Sequence, residues 1–224
     1  MSTINSVSLT ALRTFPIFQG LADDKLLSIA RCAIMRRAAR GSTVVNAGDR
    51  TDYVYFVLTG SLKVLVCDED GREVILTMIG QGEIFGEIGV VDEEPRSATV
   101  IAVTAADLVT ISMSDFRRIL QDNFEVALFL MRNLARRLRL ADRKIESLAL
   151  MDVYGRVARL LLDMAAEDGD GRIVRRKVSK QDIAKMIGAS REMVSRVMKD
   201  LEERHLIETQ EAGWVVLTER LASQ

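Results

Sequence analysis

The chain is poor in the residues that metal and redox chemistry needs. Among 224 residues there are one histidine and two cysteines. Cys32 and Cys67 stand alone, without the paired spacing of a zinc site or the even set of a disulfide framework. They read as buried or half-buried thiols in a reducing compartment. No metal is expected, and no nucleophile–base pair is visible, which argues against an enzyme. There is no apolar run long enough to span a bilayer and no signal-peptide layout at the N-terminus. The chain therefore reads as soluble and cytoplasmic, with no membrane partner. A net charge of −1 gives no overall sign of nucleic-acid binding, so charge has to be read locally. Hydrophobic residues make up 48%, enough to build cores, and the length suits one or two domains.

Glycine and proline are both missing from Asn123 to Leu150, a stretch rich in the helix formers Leu, Ala, Arg and Met. Such a helix is about 40 Å long. Ala127, Met131, Leu134, Leu138, Ala141, Ile145 and Leu148 fall at alternating spacings of four and three, the a/d pattern of paired helices. A long helix lying on its own domain has the same periodicity. The change of composition on either side favours a homodimer seam that joins two domains. The expected boundaries are 1–122, 123–151 and 152–224.

Before the long helix, residues 1–31 read as short helices. Ser8 caps a turn into Leu9 and Leu12, Pro16 breaks it, and Asp23-Asp24 opens a second piece. Residues 33–113 change character to short β-rich runs: Thr43–Val45, Tyr53–Leu58, Leu62–Val66, Glu73–Met78, Ala98–Val103 and Leu108–Ile111. Asp70-Gly71 reads as a two-residue hairpin turn with both positions at positive φ. Regular short strands with glycine turns indicate an antiparallel barrel or jelly roll. Ser114-Asp115 is expected to open a short helix, Phe116–Gln121.

After the long helix, Asp152–Ala166 is helical in period, the loop Glu167–Gly171 ends it, and residues 172–177 read as a basic strand. Ser179, followed three residues later by Asp182, starts a helix in the manner of a capping box. Gly188 turns the chain, and Ser190 caps a second helix from Arg191 to about Glu203. Two helices joined by a three-residue turn centred on glycine form a helix-turn-helix. Leu206–Leu217, with a turn near Ala212-Gly213, reads as a β-hairpin wing, in which Trp214 is a hydrophobic anchor. From Arg172 to Lys199 nine basic residues face two acidic ones, a local net of +7. On a helix-turn-helix this points to DNA. Arg191, Glu192, Ser195 and Arg196 share the face that enters a major groove, where Arg reads guanine and Glu reads cytosine. Lys180, Ser190 and Lys199 complete the expected DNA-binding set. His205, beside this helix, is structural or a phosphate contact.

Within the β region stand Phe85-Gly86-Glu87-Ile88-Gly89 and Arg96-Ser97-Ala98-Thr99. An arginine for a phosphate anion, a glutamate for a sugar hydroxyl and a glycine that permits close approach fit a cyclic phosphate on ribose. A Glu and an Arg at that spacing are alone a weak signal.

Taken together, the Phe-Gly-Glu…Arg-Ser cassette, Arg136-Arg137-Leu138, Asp152-Val153…Gly155-Arg156 and Ser190-Arg191-Glu192…Arg196 resemble the cyclic-AMP receptor protein and fumarate–nitrate-reduction regulator family of bacterial transcription regulators. The resemblance runs from about Phe15 to Leu217. It implies an α+β chain with an N-terminal jelly-roll-like cyclic-nucleotide-binding β-roll, a long dimerisation helix and a C-terminal winged helix-turn-helix. It implies that Glu87 holds the ribose hydroxyl, that Arg96 and Ser97 hold the phosphate, and that Val64 and Leu76 line the base pocket. Phe85, Gly86, Ile88, Arg137, Ala141 and Asp142 complete the implied ligand set, with the nucleotide between β-roll and dimer helix. It also implies a homodimer on double-stranded DNA with two-fold GTGA-like half-sites, and RNA polymerase as a partner. Where cyclic-AMP receptors present a Thr-Ser pair to adenine, this chain has Ala141-Asp142. Ala141 cannot bond a base edge through its side chain, whereas Asp142 can accept from an amino group. Cyclic AMP is the expected effector. Cyclic di-GMP, another effector, or ligand-independent binding with a vestigial cassette stand as alternatives.

Overall fold

The structure is a computed structural model that describes residues 7–168, 171–174, 178–209 and 215–217. Its contacts divide the chain into two units, Met1–Arg136 and Arg137–Gln224.

The first unit opens with α1 (Leu9–Arg13), whose first turn is capped by the Ser8 hydroxyl accepting from the Ala11 amide. A 3-10 turn at Pro16–Phe18 and α2 (Asp23–Cys32) follow, the latter starting on two aspartates that favour a helix N-terminus. The chain then lays down β1 (Ala33–Ala38), β2 (Thr43–Val45), β3 (Tyr53–Thr59), β4 (Leu62–Cys67), β5 (Glu73–Ile79), β6 (Ile84–Phe85), α3 (Ile88–Val91), β7 (Thr99–Ala102) and β8 (Ala106–Ser112). These strands form two antiparallel four-stranded sheets, β1-β8-β3-β6 and β2-β7-β4-β5. Helix α4 (Met113–Asp122) and the long α5 (Phe124–Leu150) close the unit.

Strand β3 is covered on both faces, and its alternation sorts side chains between two cores. Tyr55 and Val57 join Leu62, Val100 and Leu108 in the core of the roll. Val54 and Phe56 face the other way, onto Phe15, Phe18, Phe116 and, from α5, Val126 and Leu130. Phe56 is the hub of that second core, with ring centroids 5.4 Å from Phe15, 5.1 Å from Phe18 and 6.0 Å from Phe116.

The second unit holds the far half of α5, then α6 (Val153–Met164), β9 (Ala166–Asp168), β10 (Gly171–Val174), α7 (Lys180–Ile187), α8 (Arg191–Glu203), β11 (Ile207–Thr209) and β12 (Val215–Leu217). Its strands make one sheet in the order β11-β12-β10-β9. Val157, Leu161, Ile183, Val194, Met198 and Leu201 pack the three helices together beneath it.

The structure corrects the sequence reading at several points. Strand β1 was not expected, because the exposed Arg36 and Arg37 interrupt the apolar alternation. The β4–β5 turn is not a two-residue turn with two positive φ values: Gly71 alone is left-handed, at φ 75°. Its amide donates to the Asp68 carbonyl, giving a three-residue loop with glycine at its last position. Helix α4 is capped by Ser112 rather than Ser114, with Ser112 Oγ accepting from the Asp115 amide at 3.1 Å. Part of the expected loop after α6 is strand β9, paired to β10. Strand β10 covers Gly171–Val174, while residues 175–177, the hairpin turn at 210–214 and Trp214 lie outside the described residues.

Phe56→Ala is expected to destabilise the first unit by ~3–5 kcal/mol, whereas Leu27→Ala, at a side chain 47% exposed, costs under ~1 kcal/mol. Denaturant unfolding of both variants checks the pair.

Candidate functional site

Arg96 is the most constrained charge in the first unit. It follows Pro95 on the way into β7, and its backbone is paired on both sides: its amide donates to the Asp49 carbonyl and its carbonyl accepts from the Gly48 amide, each at 2.8 Å. The side chain is 7% exposed. Nη1 donates to the Gly86 carbonyl at 2.9 Å and Nη2 to the Tyr53 carbonyl at 2.5 Å. The guanidinium carbon sits 5.6 Å from the Tyr55 ring centroid, and the Phe85 ring stacks on Tyr55 at 4.8 Å. Nε is buried and has no hydrogen-bond partner among the described residues.

Burial pulls the Arg96 pKa below its ordinary value, opposed by Tyr55, Asp52, Glu87 and Asp49, in that order. None of these carboxylates makes an ion pair with it. Arginine remains charged in such a setting. Buried charges are normally paired, and here two neutral carbonyls satisfy donors without cancelling the charge. A buried positive charge with an unused N–H donor is a chemistry that suits an anionic ligand.

Of the expected ligand residues, Gly86, Glu87 and Arg96 come together. Gly86 takes φ 78°, and an added Cβ would fall on the Arg96 guanidinium, so glycine is needed both for the turn and for the approach. Glu87 is fully buried at the start of α3. Phe85 is a core residue of the roll, Ile88 is exposed, and Ser97 is exposed beside Arg96. Val64 and Leu76 lie on the second sheet, Val64 against the roll core and Leu76 43% exposed. Arg137, Ala141 and Asp142 belong to the part of α5 in the second unit.

The sequence reading missed Arg36, Tyr53 and Tyr55. Together with Arg96, Asp49 and Asp52 they line an open cleft of about 330 Å³, within the size of small-ligand sites. Arg36 stacks over Tyr53 at 4.5 Å. The signal available in the sequence was the alternation of β3, which places Tyr53 and Tyr55 on the side of Val57. Among the described residues no group of His, Cys, Asp and Glu can hold a metal, and no helix is long and apolar enough to cross a membrane.

In the second unit, Ser179 Oγ accepts from the Asp182 amide and caps α7. Gly188 ends that helix in the left-handed conformation, φ 65°. Arg156 Nη1 donates to the Ile187 carbonyl at 2.9 Å, fixing the α7 C-terminus to α6. The Ser190 hydroxyl is taken up by the α8 cap, accepting from the Met193 amide. Val194, Met198 and Leu201 bury one face of α8. The opposite face leaves Arg191, Glu192, Arg196 and Lys199 exposed and Ser195 half-buried. Lys199 pairs with Glu203 at 3.5 Å, while Arg191 and Arg196 have no ion-pair partner among the described residues. Lys180 is exposed at the start of α7. Along α5, Met131, Leu138, Ala141, Ile145 and Leu148 of the expected seam are exposed, whereas Ala127 is half-buried and Leu134 packs partly on the first core.

Residues 35–123 match the cyclic nucleotide-binding domain and residues 155–222 the Crp-like helix-turn-helix domain. The chain is 39% identical over 185 residues to the cAMP-activated global transcriptional regulator CRP of Pasteurella multocida, covering 80% of this chain and 87% of that protein. It is 39% identical over 206 residues to the cAMP-activated global transcriptional regulator Vfr of Pseudomonas aeruginosa, covering 88% and 94%. Among solved structures, the c-di-GMP responsive global regulator CLP of Xanthomonas campestris superposes with a TM-score of 0.71 at 28% identity, covering 88% of this chain and 99% of that one.

A Cβ at the buried Gly89 would meet the Thr51 side chain and the Glu94 carbonyl. Gly89→Ala is therefore expected to destabilise the first unit by ~1–3 kcal/mol, and Ser190→Ala the second by ~1 kcal/mol. Thermal unfolding of both checks the two sites independently.

Proposed function

Because the chain belongs to the CRP/FNR family of DNA-binding transcription regulators, with a cyclic nucleotide-binding domain and a Crp-like helix-turn-helix, we propose that it is a homodimeric regulator whose affinity for DNA is set by cyclic AMP. Residues 1–122 form the ligand domain, 123–151 the dimerising helix and 152–224 the DNA-binding domain. The observation that carries the reading is the buried guanidinium of Arg96, which has no ion-pair partner among the described residues, beside Glu87. In the bound state Arg96 and Ser97 hold the cyclic phosphate, Glu87 accepts from the ribose hydroxyl, and Val64 and Leu76 cover the base. Two relatives described as cAMP-activated support this ligand. Ala141-Asp142 favours a second reading, in which the same regulator answers to cyclic di-GMP, the nucleotide to which the similar CLP of Xanthomonas campestris responds.

The DNA half of the proposal rests on α8. Arg191 and Arg196 read guanine edges and Glu192 accepts from cytosine N4 in GTGA-like half-sites. Lys180, Ser195 and Lys199 support the docking. Two copies joined along the exposed α5 stripe would present two such helices to half-sites about 34 Å apart. RNA polymerase is the expected further partner and the cytoplasm the expected compartment. The nucleotide acts as a switch only if it binds the DNA-competent state more tightly than the other. Helix α5 runs unbroken from the first unit into the second and is the covalent connection between the proposed ligand-binding and DNA-binding domains.

Fluorescence anisotropy on a duplex with two GTGA-like half-sites tests this at fixed salt. Cyclic AMP is expected to tighten binding at least about tenfold, and Arg191→Ala to remove ~1–3 kcal/mol of preference over a scrambled duplex. Unchanged operator affinity with nucleotide, or equal weakening on both duplexes in the variant, contradicts the proposal.

A further inference from the structure

The segment that carries Glu87 and Arg96 is held by its backbone from three sides. Arg96 donates to the Gly86 carbonyl at one end. Near the other end the Thr51 hydroxyl donates to the Glu94 carbonyl at 3.1 Å. The third hold comes from α4. Arg117 Nε and Nη2 both donate to the Val90 carbonyl, at 3.1 and 3.0 Å, and Nη2 also donates to Glu93 Oε1 at 2.8 Å.

Glu93 needs such a hold. Its backbone is left-handed, φ 64°, one of two such non-glycine residues among those described. Steric contact of Cβ disfavours that conformation for glutamate. Its carboxylate is drawn onto Arg117, and the next amide, that of Glu94, donates to Asp92 Oδ1 at 3.1 Å. An apolar contact lies alongside. Val90 is buried in the same core as Phe116, the chain neighbour of Arg117, and as Val126 and Leu130 of α5. The middle of the segment is thus fixed to α4 by one polar and one apolar clamp from adjacent residues.

We propose that Arg117 is a positioning residue for the nucleotide. It holds the α3 segment in the curvature that brings Glu87 and Arg96 onto one ligand, and it ties that segment to α4 and the start of α5. The inference rests on the ligand reading above. The Glu93 carboxylate is 71% exposed, so its ion pair contributes little, and the fork on the Val90 carbonyl is the stronger part. Lysine keeps the charge but not the planar fork.

Calorimetric titration with cyclic AMP, cyclic GMP and cyclic di-GMP, below the melting temperature of each variant, tests the proposal. For whichever nucleotide binds the wild-type protein, Arg117→Ala is expected to raise Kd about tenfold, the effect of ~1.4 kcal/mol. Arg117→Lys should fall between that variant and the wild type, and Glu93→Gln should stay within about twofold of the wild type. Hydrogen exchange should quicken at Ile88–Glu94 in Arg117→Ala, with the ligand failing to restore protection. A merely structural role lowers the melting temperature of the ligand-free protein and leaves Kd of the folded fraction unchanged; that result overturns the inference. If Arg117→Ala does not fold, an unaltered Kd in Arg117→Lys overturns it equally. Absence of wild-type binding to all three nucleotides brings down the ligand reading and the inference with it. Wild-type binding with an unaffected Arg117→Ala brings down the inference alone.

Discussion

A guanidinium taken out of water costs several kcal/mol unless something replaces its hydration. The first unit is arranged around that constraint at Arg96. Two backbone carbonyls, from Gly86 and Tyr53, replace part of the hydration shell, and the Tyr55 ring covers one side. Neutral acceptors bond the guanidinium without forming an ion pair, while Asp52, Glu87 and Asp49 act on its charge from nearby. A carboxylate in their place would give a more comfortable buried pair and a poorer receptor for an anion. The glycine at position 86 follows from the same geometry, since a side chain there would occupy the space of the guanidinium itself.

Strand β3 carries much of this arrangement. Its Tyr53 carbonyl receives Arg96, its Tyr55 ring lies beside Arg96 and under Phe85, and its Phe56 ring anchors the aromatic cluster on the opposite face. Any shift of β3 that moved the receptor would also break the packing with Phe15, Phe18 and Phe116. Rigidity at the site is therefore a by-product of a strand buried on both faces. From the other direction, α4 reaches the same segment through Arg117 and Phe116, so core and receptor share their supports.

The parts of this molecule that obey a local rule were legible in the sequence. Strands β2 to β5, β7 and β8 announced themselves by β-rich runs, and α5 by the lack of glycine and proline. Helices α7 and α8 were marked by Ser179, Gly188 and Ser190, each of which performs the capping role its position suggests. Strand β1 was hidden because Arg36 and Arg37 break its alternation, and β6 because two residues carry no period. At the turn after β4, Asp70 keeps a negative φ, so the dipeptide rule chose the wrong turn. The site was legible in its cassette residues and no further. Tyr53 and Thr51 reach their partners across 43 residues and Arg117 across 27, and no local pattern encodes such pairings.

The second unit is built on a different balance. Its helix-turn-helix buries an apolar face of α8 and leaves Arg191 and Arg196 on the opposite one, without ion-pair partners among the described residues. On the proposed reading, one unit keeps a positive charge inside for a small anion, and the other keeps positive charge outside for a polyanion. The central claim is that Arg96 is the anion receptor on which the rest acts. Calorimetric titration of the wild-type protein and of Arg96→Gln with cyclic AMP tests it most directly. The account predicts micromolar or tighter binding by the wild type and a loss of about a hundredfold or more in the variant, as expected for a charged contact worth ~3 kcal/mol. Equal affinity in the two proteins would contradict it.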